Sequence, residues 1–234
     1  MKKHIPNFIT SLNLLSGCIG IGFVFNGDMV TASYLIGIAA IFDFMDGIAA
    51  RLLNVKSEFG KQLDSLADLI SFGLLPGIIL YSLLKIAFHD AEGFKAYLPF
   101  VAFLIPLFSA LRLAKFNIDE HQKDSFIGLP TPANALFIAS IPLILVQQNE
   151  SIISNLFGNP GFIIILIFLL SFLLVAPIPL FSLKFKDFTW TKNSVQYIFI
   201  IISVILFILL NFLAIPIIIF LYVLLSIINN SVRK

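Results

Sequence analysis

Residues 43–68 read DFMDGIAARLLNVKSEFGKQLDSLAD, and this stretch places four aspartates in two strongly apolar segments. Asp43 and Asp46 are three residues apart, so they share one face of a helix. Asp64 and Asp68, four residues apart, do the same on a second helix. Carboxylates at membrane depth are costly unless a compensating charge lies beside them. Two facing helices would collect all four acids in one pocket, which predicts bound cations.

The expected metal ligands are carboxylate oxygens only, with no Cys or His in the group. Oxygen ligands suit hard cations. The predicted cofactor is therefore a divalent metal, Mg²⁺ or Mn²⁺ with Ca²⁺ as an alternative, bound as two ions. The predicted metal ligands are Asp43, Asp46, Asp64 and Asp68.

The composition is that of a membrane protein. The 234 residues are 59% hydrophobic and 12% charged, with a mean hydropathy of +1.02. A soluble domain of this size does not have these values, so we expect an all-α polytopic membrane protein. No polar stretch is long enough to build a separate core. Residues 1–234 are therefore predicted to form one integral membrane catalytic domain.

Apolar runs long enough for spanning helices predict about eight transmembrane helices. Turn-like breaks separate them, and the break at Asn211 is weak, so 194–230 is either two spans or one kinked unit. The predicted spans cover 8–25, 30–52, 63–88, 97–116, 131–147, 160–181, 194–210 and 212–230.

The distribution of positive charge predicts the orientation, because cytoplasmic loops carry an excess of Lys and Arg. With eight spans, all but two of the 15 Lys and Arg residues fall on one side, and Lys85 and Lys95 fall on the other. Both termini and the aspartate cluster are therefore expected on the cytoplasmic side. The basic residues on that side are Lys2, Lys3, Arg51, Lys56, Lys61, Arg112, Lys115, Lys123, Lys184, Lys186, Lys192, Arg233 and Lys234.

The first segment also has features of a lipoprotein leader. Lys2 and Lys3 precede an apolar run that ends in Leu15-Ser16-Gly17-Cys18. Polar residues such as Asn13 interrupt that run, which is unfavourable for a cleaved signal. We therefore expect no cleavage, and we expect Cys18 to be a small packing residue.

The pattern D-x2-D-G-x2-A-R-x8-G-x3-D-x3-D, which runs from Asp43 to Asp68, resembles the signature of the CDP-alcohol phosphotransferase family at every fixed position. The resemblance implies a six-helix core with additional helices, and a homodimer. It also implies that Asp43, Asp46 and Asp64 are metal ligands and that Asp68 is a ligand or the general base. The alternative is that the acids cap helices and pair with neighbouring Lys and Arg residues. That would explain one acid but not four at this spacing.

The predicted nucleotide site combines this signature with the start of the chain. Small residues on the carboxylate face let a flat base or sugar approach the helix, and Arg51 is in reach of a phosphate or a carboxylate. Pro6-Asn7-Phe8-Ile9-Thr10 is similar to the P-N-x2-T element of the family's first helix; an ordinary capped helix start is the alternative. The predicted nucleotide-binding residues are Asn7, Thr10, Asp46, Gly47, Ala50, Arg51 and Gly60.

Two further stretches resemble the phosphatidylserine synthase branch of the family, namely 110–117 (ALRLAKFN) and 128–135 (GLPTPANA). Arg112 and Lys115 lie about one helical turn apart, so they could hold an acceptor carboxylate or a donor phosphate. Snorkelling at the membrane surface is an equally good explanation for Lys115. The prolines of the second stretch predict a rigid turn folded over the site.

The resemblance implies transfer of a phosphatidyl group from CDP-diacylglycerol to L-serine at the inner membrane, with membrane lipid but no nucleic acid as a partner. Another acceptor alcohol, such as glycerol-3-phosphate or inositol, or an ether-lipid donor is the alternative. A divalent-cation transporter is a different class, because intramembrane acids also mark ion pathways. Inverted repeats are common in transporters, and the aspartate pattern has no second copy.

Overall fold

The computed structural model describes residues 4–55, 57–118, 126–147, 152–180 and 190–232. Several basic residues that carry the orientation prediction lie outside these ranges, namely Lys2, Lys3, Lys56, Lys123, Lys184, Lys186, Arg233 and Lys234.

The described residues form an almost entirely helical protein. Its first part comprises α1 (His4–Phe25), α2 (Met29–Leu52), α3 (Glu58–Asp68), a π-helical segment (Leu69–Leu74), α4 (Leu75–Ala87), a 3₁₀ segment (Gly93–Phe103) and α5 (Leu104–Ile118). The remainder comprises β1 (Phe126–Ile127), α6 (Thr131–Gln147), α7 (Ile152–Gly158), α8 (Pro160–Val175), β2 (Pro179–Leu180), α9 (Trp190–Leu210), a 3₁₀ turn (Asn211–Leu213) and α10 (Ala214–Val232).

Polar side chains begin three of these helices by accepting hydrogen bonds from free backbone amides. Asp28 accepts from the Thr31 amide at the start of α2. Hydrogen bonds from the Thr31 side chain and from its backbone amide hold the pKa of the Asp28 carboxyl below its ordinary value. Ser57 caps α3 by accepting from the Gly60 amide, and Asn159 caps α8. The loop residues between apolar runs therefore determine where these helices start.

The prediction of an all-α polytopic membrane protein is confirmed, but the count of eight spans is not. By length and apolar composition, four helical runs among the described residues can cross a membrane, and the pair α7–α8, bent by 67°, would make a fifth. The four runs are His4–Phe25, Glu58–Ala87, Gly93–Ile118 and Asn193–Asn229.

The run Asn193–Asn229 reverses direction at Asn211, where φ is +50°. The ring centroids of Phe199 and Tyr222 lie 5.6 Å apart, whereas a straight helix would separate residues 23 positions apart by about 35 Å. Helices α9 and α10 therefore pack side by side. Of the two arrangements that the sequence left open, the structure has two helices joined by a tight turn.

The most deeply buried large side chains come from α2, the π-helical segment, α4, α5 and α6. They include Ile36, Phe72, Ile79, Ile105 and Phe137, each less than 2% exposed. Helix α1 lies along α2 and also contacts α3 and the π-helical segment. Cys18 is exposed on α1, so the expectation that it packs against neighbouring helices is wrong.

Candidate active site

A cavity of about 480 Å³ opens where the starts of α1 and α3 meet the end of α2. Its volume is in the range of small-molecule sites, about 300–1,000 Å³. Six of the seven predicted nucleotide-binding residues line it, namely Asn7, Thr10, Asp46, Gly47, Ala50 and Gly60. The other lining residues are Pro6, Val55, Ser57, Glu58, Lys61 and Asp64. The structure therefore brings the two separate sequence motifs to one cavity.

Arg51 is the predicted nucleotide-binding residue that does not line this cavity. It is exposed at the end of α2, and its Nε donates to the carbonyl oxygen of Gly47 at 2.9 Å. Within the described residues Arg51 forms no ion pair with a carboxylate. Because it lies beside Gly47, its guanidinium is at the rim of the cavity.

Gly47 and Gly60 both line the cavity but differ in what surrounds them. A Cβ added to Gly47 would meet only the Arg51 side chain, at 3.6 Å, so this position faces open space. A Cβ added to Gly60 would lie 2.9 Å from Ser57 Oγ and 3.0 Å from Asn7 Oδ1. Gly47 leaves room in the cavity, as predicted for an approaching ligand, whereas Gly60 leaves room for neighbouring side chains of the protein.

Three of the four predicted metal ligands form a tight group. Oxygen atoms of Asp43, Asp64 and Asp68 lie within 4.8 Å of one another. At that distance each pair of negative charges repels by about 3 kcal/mol with an effective dielectric constant of about 20. Among the described residues, none of these acids forms an ion pair with Lys or Arg. The group therefore carries a repulsion that a bound cation would relieve.

Asp64 connects this group with the cavity, because it belongs to both. Its Oδ1 is buried and has no hydrogen-bond partner among the described residues. A buried carboxylate oxygen without a donor is unfavourable, and a coordinating cation would satisfy it. The donor atoms and the orphaned oxygen both fit a hard divalent cation.

Asp46 differs from the other three acids. It is buried, lines the cavity and lies outside the group of three. Its Oδ2 accepts a hydrogen bond of 2.6 Å from Thr10 Oγ1, which joins α1 to α2. Asp46 was predicted both as a metal ligand and as a nucleotide-binding residue, and the structure holds one of its oxygens in a bond with Thr10, another predicted nucleotide-binding residue.

Arg112 and Lys115, the predicted acceptor-binding pair, line a second cavity of about 20 Å³ with Phe116, Ile127, Leu174 and Val175. This volume holds about one water molecule and is too small for an amino acid. The half-buried Arg112 is near enough to Asp68 for their charges to attract, without an ion pair between them among the described residues, and its buried Nε has no hydrogen-bond partner in that part of the chain. Lys115 is exposed. Arg112 is therefore the member of the pair that connects to the aspartate group.

The segment 128–133, predicted as a rigid turn folded over the site, lies beside the end of α8. The Gly128 and Leu129 amides donate to the carbonyl oxygens of Ile178 and Leu173, and β1 pairs with β2 in an antiparallel ribbon. A Cβ at Gly128, where φ is +77°, would lie 2.5 Å from the Leu174 carbonyl oxygen. The turn is thus tied to the end of α8 near the small cavity.

Sequence reasoning missed several polar residues that build the site. Asn13 Nδ2 donates to Asp68 Oδ1 at 3.2 Å. Lys61 Nζ donates to the Asn117 carbonyl oxygen at 2.8 Å, which ties the start of α3 to the end of α5. The sequence did contain a pattern that indicates the position of Asn13. Polar or small residues recur every three or four positions along one face of α1, namely Thr10, Asn13, Gly17 and Gly20, and all four are buried.

A family model described as CDP-alcohol phosphatidyltransferase matches residues 3–228. A CDP-diacylglycerol–serine O-phosphatidyltransferase of Helicobacter pylori is 38% identical over 135 residues, covering 57% of this chain and 54% of the relative. One of Bacillus subtilis is 37% identical over 134 residues, which cover 56% of this chain and 70% of the relative. An archaetidylserine synthase of Methanothermobacter thermautotrophicus is 36% identical over 142 residues, which cover 59% of this chain and 58% of the relative. The matched region is about half the length of the Helicobacter relative.

Proposed function

The chain belongs to the CDP-alcohol phosphatidyltransferase family, and from that premise we propose that it transfers a phosphatidyl group from CDP-diacylglycerol to the hydroxyl of L-serine, giving phosphatidylserine and CMP. The observation that carries this proposal is the position of Asp64, which belongs to the group of three carboxylates and also lines the 480 Å³ cavity. Such an arrangement can hold a nucleotide beside a charged reaction centre. The names of the Helicobacter, Bacillus and Methanothermobacter relatives all contain serine.

In this proposal the cavity binds the CDP part of the donor. Asn7 and Thr10 on α1 face Gly47 and Ala50 on α2, so a base and ribose would lie between the two helices. Arg51 at the rim would approach a phosphate, and Gly60 keeps the start of α3 close to Asn7. The diacylglycerol chains would extend into lipid, which suits an apolar protein surface.

We assign the metal site to Asp43, Asp64 and Asp68, with the oxygen of Asp46 that does not bond to Thr10 as a fourth candidate ligand. When bound there, Mg²⁺ or Mn²⁺ ions, as a pair, would neutralise the acids and polarise the donor's pyrophosphate oxygens. The fit rests on the all-oxygen group and on the orphaned Oδ1 of Asp64.

The reaction would be a direct displacement. The serine hydroxyl oxygen attacks the β-phosphorus of the donor, the bond from that phosphorus to the CMP oxygen breaks, and the hydroxyl proton passes to Asp68. Asp68 suits this task because it lies at the inner end of α3, next to Asp64 but outside the lining of the nucleotide cavity.

Arg112 is the better candidate for binding the serine carboxylate, since it lies near Asp68 and its buried Nε has no hydrogen-bond partner among the described residues. Lys115, exposed one turn later, would attract anions at the surface. Because the cavity beside them holds about one water molecule, serine would have to bind between Arg112 and Asp68 or after a local opening.

The protein is a multi-pass membrane protein. We further propose that it resides in the inner membrane with both termini and the site on the cytoplasmic side, that it acts as one catalytic domain and that it forms a homodimer. The positive charge on the side of the site supports the orientation.

An ether-lipid donor is the second candidate, because one relative is an archaetidylserine synthase. The test uses purified protein with Mn²⁺ or Mg²⁺, either CDP-diacylglycerol or its ether-lipid analogue, and labelled serine, glycerol-3-phosphate or inositol. We expect labelled lipid and stoichiometric CMP from serine and CDP-diacylglycerol. Product only with another acceptor, or only with the ether donor, would replace the proposed substrate. The absence of product from every combination would contradict the proposed activity.

Replacing Gly47 with leucine is expected to weaken donor binding, because the side chain would occupy open cavity space. Overfilling a packed site typically costs 1–3 kcal/mol, so the Kd for CDP-diacylglycerol should rise about 10- to 100-fold. Calorimetry with the detergent-solubilised protein measures this change. Gly37→Leu is the matched control, because Gly37 lies on the same helix, away from the cavity, and a Cβ there meets no atom within 4 Å. Unchanged donor affinity in Gly47→Leu would show that the donor binds elsewhere.

A further inference from the structure

A chain of hydrogen bonds connects α1 to the proposed general base. Asn13 is fully buried, and its Nδ2 donates to Asp68 Oδ1 at 3.2 Å. The backbone carbonyl oxygen of Asn13 in turn accepts a hydrogen bond of 2.9 Å from Ser71 Oγ. Asn13 is therefore held by one residue of the π-helical segment, and it holds the aspartate that immediately precedes this segment.

The Asn13 amide turns its NH₂ group toward Asp68. This orientation suits an ionised carboxylate, which only accepts hydrogen bonds. The remaining oxygen, Asn13 Oδ1, is then buried without a partner among the described residues. An asparagine that served only helix packing would gain from satisfying both ends of its amide. Here the NH₂ group bonds to Asp68, while Oδ1 has no hydrogen-bond partner among the described residues.

The backbone of α1 near Asn13 lies very close to the π-helical segment. Gly17 lies one turn later on α1, and a Cβ there would be 2.5 Å from Ser71 Oγ and 2.9 Å from Ser71 Cα. Only glycine lets α1 come this close to the π-helical segment. Isolated π-helical turns within α-helices occur frequently at functional sites. This one, Leu69–Leu74, begins directly after Asp68 and directs Ser71 toward α1.

We propose that Asn13 is a positioning residue for Asp68, and this inference rests on the proposed function. Its amide holds Oδ1 of Asp68, which directs the carboxylate toward the acceptor hydroxyl. Ser71 and Gly17 hold Asn13 in place. Asn13 acts through Asp68 and does not contact the donor, because it does not line the nucleotide cavity.

The test compares Asn13→Ala with the unmodified protein. A displacement of about 1 Å in a reacting group can lower turnover about 100-fold. We therefore expect kcat to fall about 100-fold while the Kd for CDP-diacylglycerol, measured by calorimetry, stays within about threefold. Ser16→Ala is the matched control, because Ser16 is a buried polar residue of the same helix whose hydroxyl bonds only to the Leu12 carbonyl oxygen among the described contacts. Its kcat should match that of the unmodified protein.

Two further variants keep the inference testable if Asn13→Ala does not fold. Ser71→Ala removes the bond to the Asn13 carbonyl oxygen and should lower kcat in the same direction by a smaller factor. In an Asp68→Asn background, Asn13→Ala should cause no additional loss, because its effect passes through Asp68.

Three outcomes would overturn the assignment: unchanged kcat in both single variants, a loss that appears as weaker donor binding, or a full additional loss in the Asp68→Asn background. Failure of the proposed function is a separate result. In that case neither the unmodified protein nor a variant at position 13 forms a phosphatidyl product from any acceptor in the panel.

Discussion

Replacing Asp64 with asparagine is expected to lower kcat/KM by about 10³-fold or more. Asp64 lies in both the carboxylate group and the 480 Å³ cavity, and its Oδ1 has no hydrogen-bond partner among the described residues. Stabilisation by a bound cation amounts to several kcal/mol, and each 1.4 kcal/mol corresponds to a factor of ten in rate. Asparagine keeps the shape of the side chain but removes one negative charge and one strong oxygen ligand. Turnover and Mn²⁺ binding, the latter followed by electron paramagnetic resonance, should fall together.

The control for this change is Asp90→Asn, which makes the same chemical substitution at an exposed residue paired with His89. It should leave turnover and Mn²⁺ binding unchanged. Chelation should reproduce the loss in the unmodified protein, and added Mg²⁺ or Mn²⁺ should reverse it. Full activity in excess EDTA would contradict the proposed role of Asp43, Asp64 and Asp68 in binding a metal.

The second large effect is expected from Asp68→Asn. A positioned general base contributes about 10²- to 10⁴-fold to a rate, so kcat should fall by a factor in that range. Donor binding should be retained, because Asp68 does not line the 480 Å³ cavity that we propose binds the nucleotide. Mn²⁺ binding should weaken less than in Asp64→Asn. Single-turnover kinetics with labelled serine separates the chemical step from substrate binding.

Asp43→Asn is the matched comparison for Asp68→Asn, because Asp43 belongs to the same group of three carboxylates and is assigned only as a ligand. Excess metal should partly restore the Asp43 variant and should not restore the Asp68 variant. If metal instead restores Asp68→Asn, and that variant has lost donor and metal binding, Asp68 is chiefly a ligand and the base lies elsewhere.

The class of fold was predictable from local sequence, whereas the predicted number of spans was not confirmed. Long apolar runs define membrane helices, and capping residues such as Asp28 and Asn159 define where they begin. The arrangement around Asn211 was not predictable. A single asparagine between apolar runs permits either a kink or a reversal, and the packing of Phe199 against Tyr222 shows a reversal. Such a contact between distant residues leaves no trace in hydrophobic periodicity.

Spacings of three and four residues on two neighbouring helices were enough to predict that the aspartates of 43–68 would lie together, and three of the four do. The different contacts of the four acids depend on how helices distant in sequence pack. The packing of α1 places Thr10 next to Asp46 and Asn13 next to Asp68, and the approach of α2 to α3 brings oxygens of Asp43, Asp64 and Asp68 within 4.8 Å of one another. The two contacts of α1 join residues 36 and 55 positions apart. They depend on how closely two helices approach, which small residues such as Gly17 control and which periodicity does not encode.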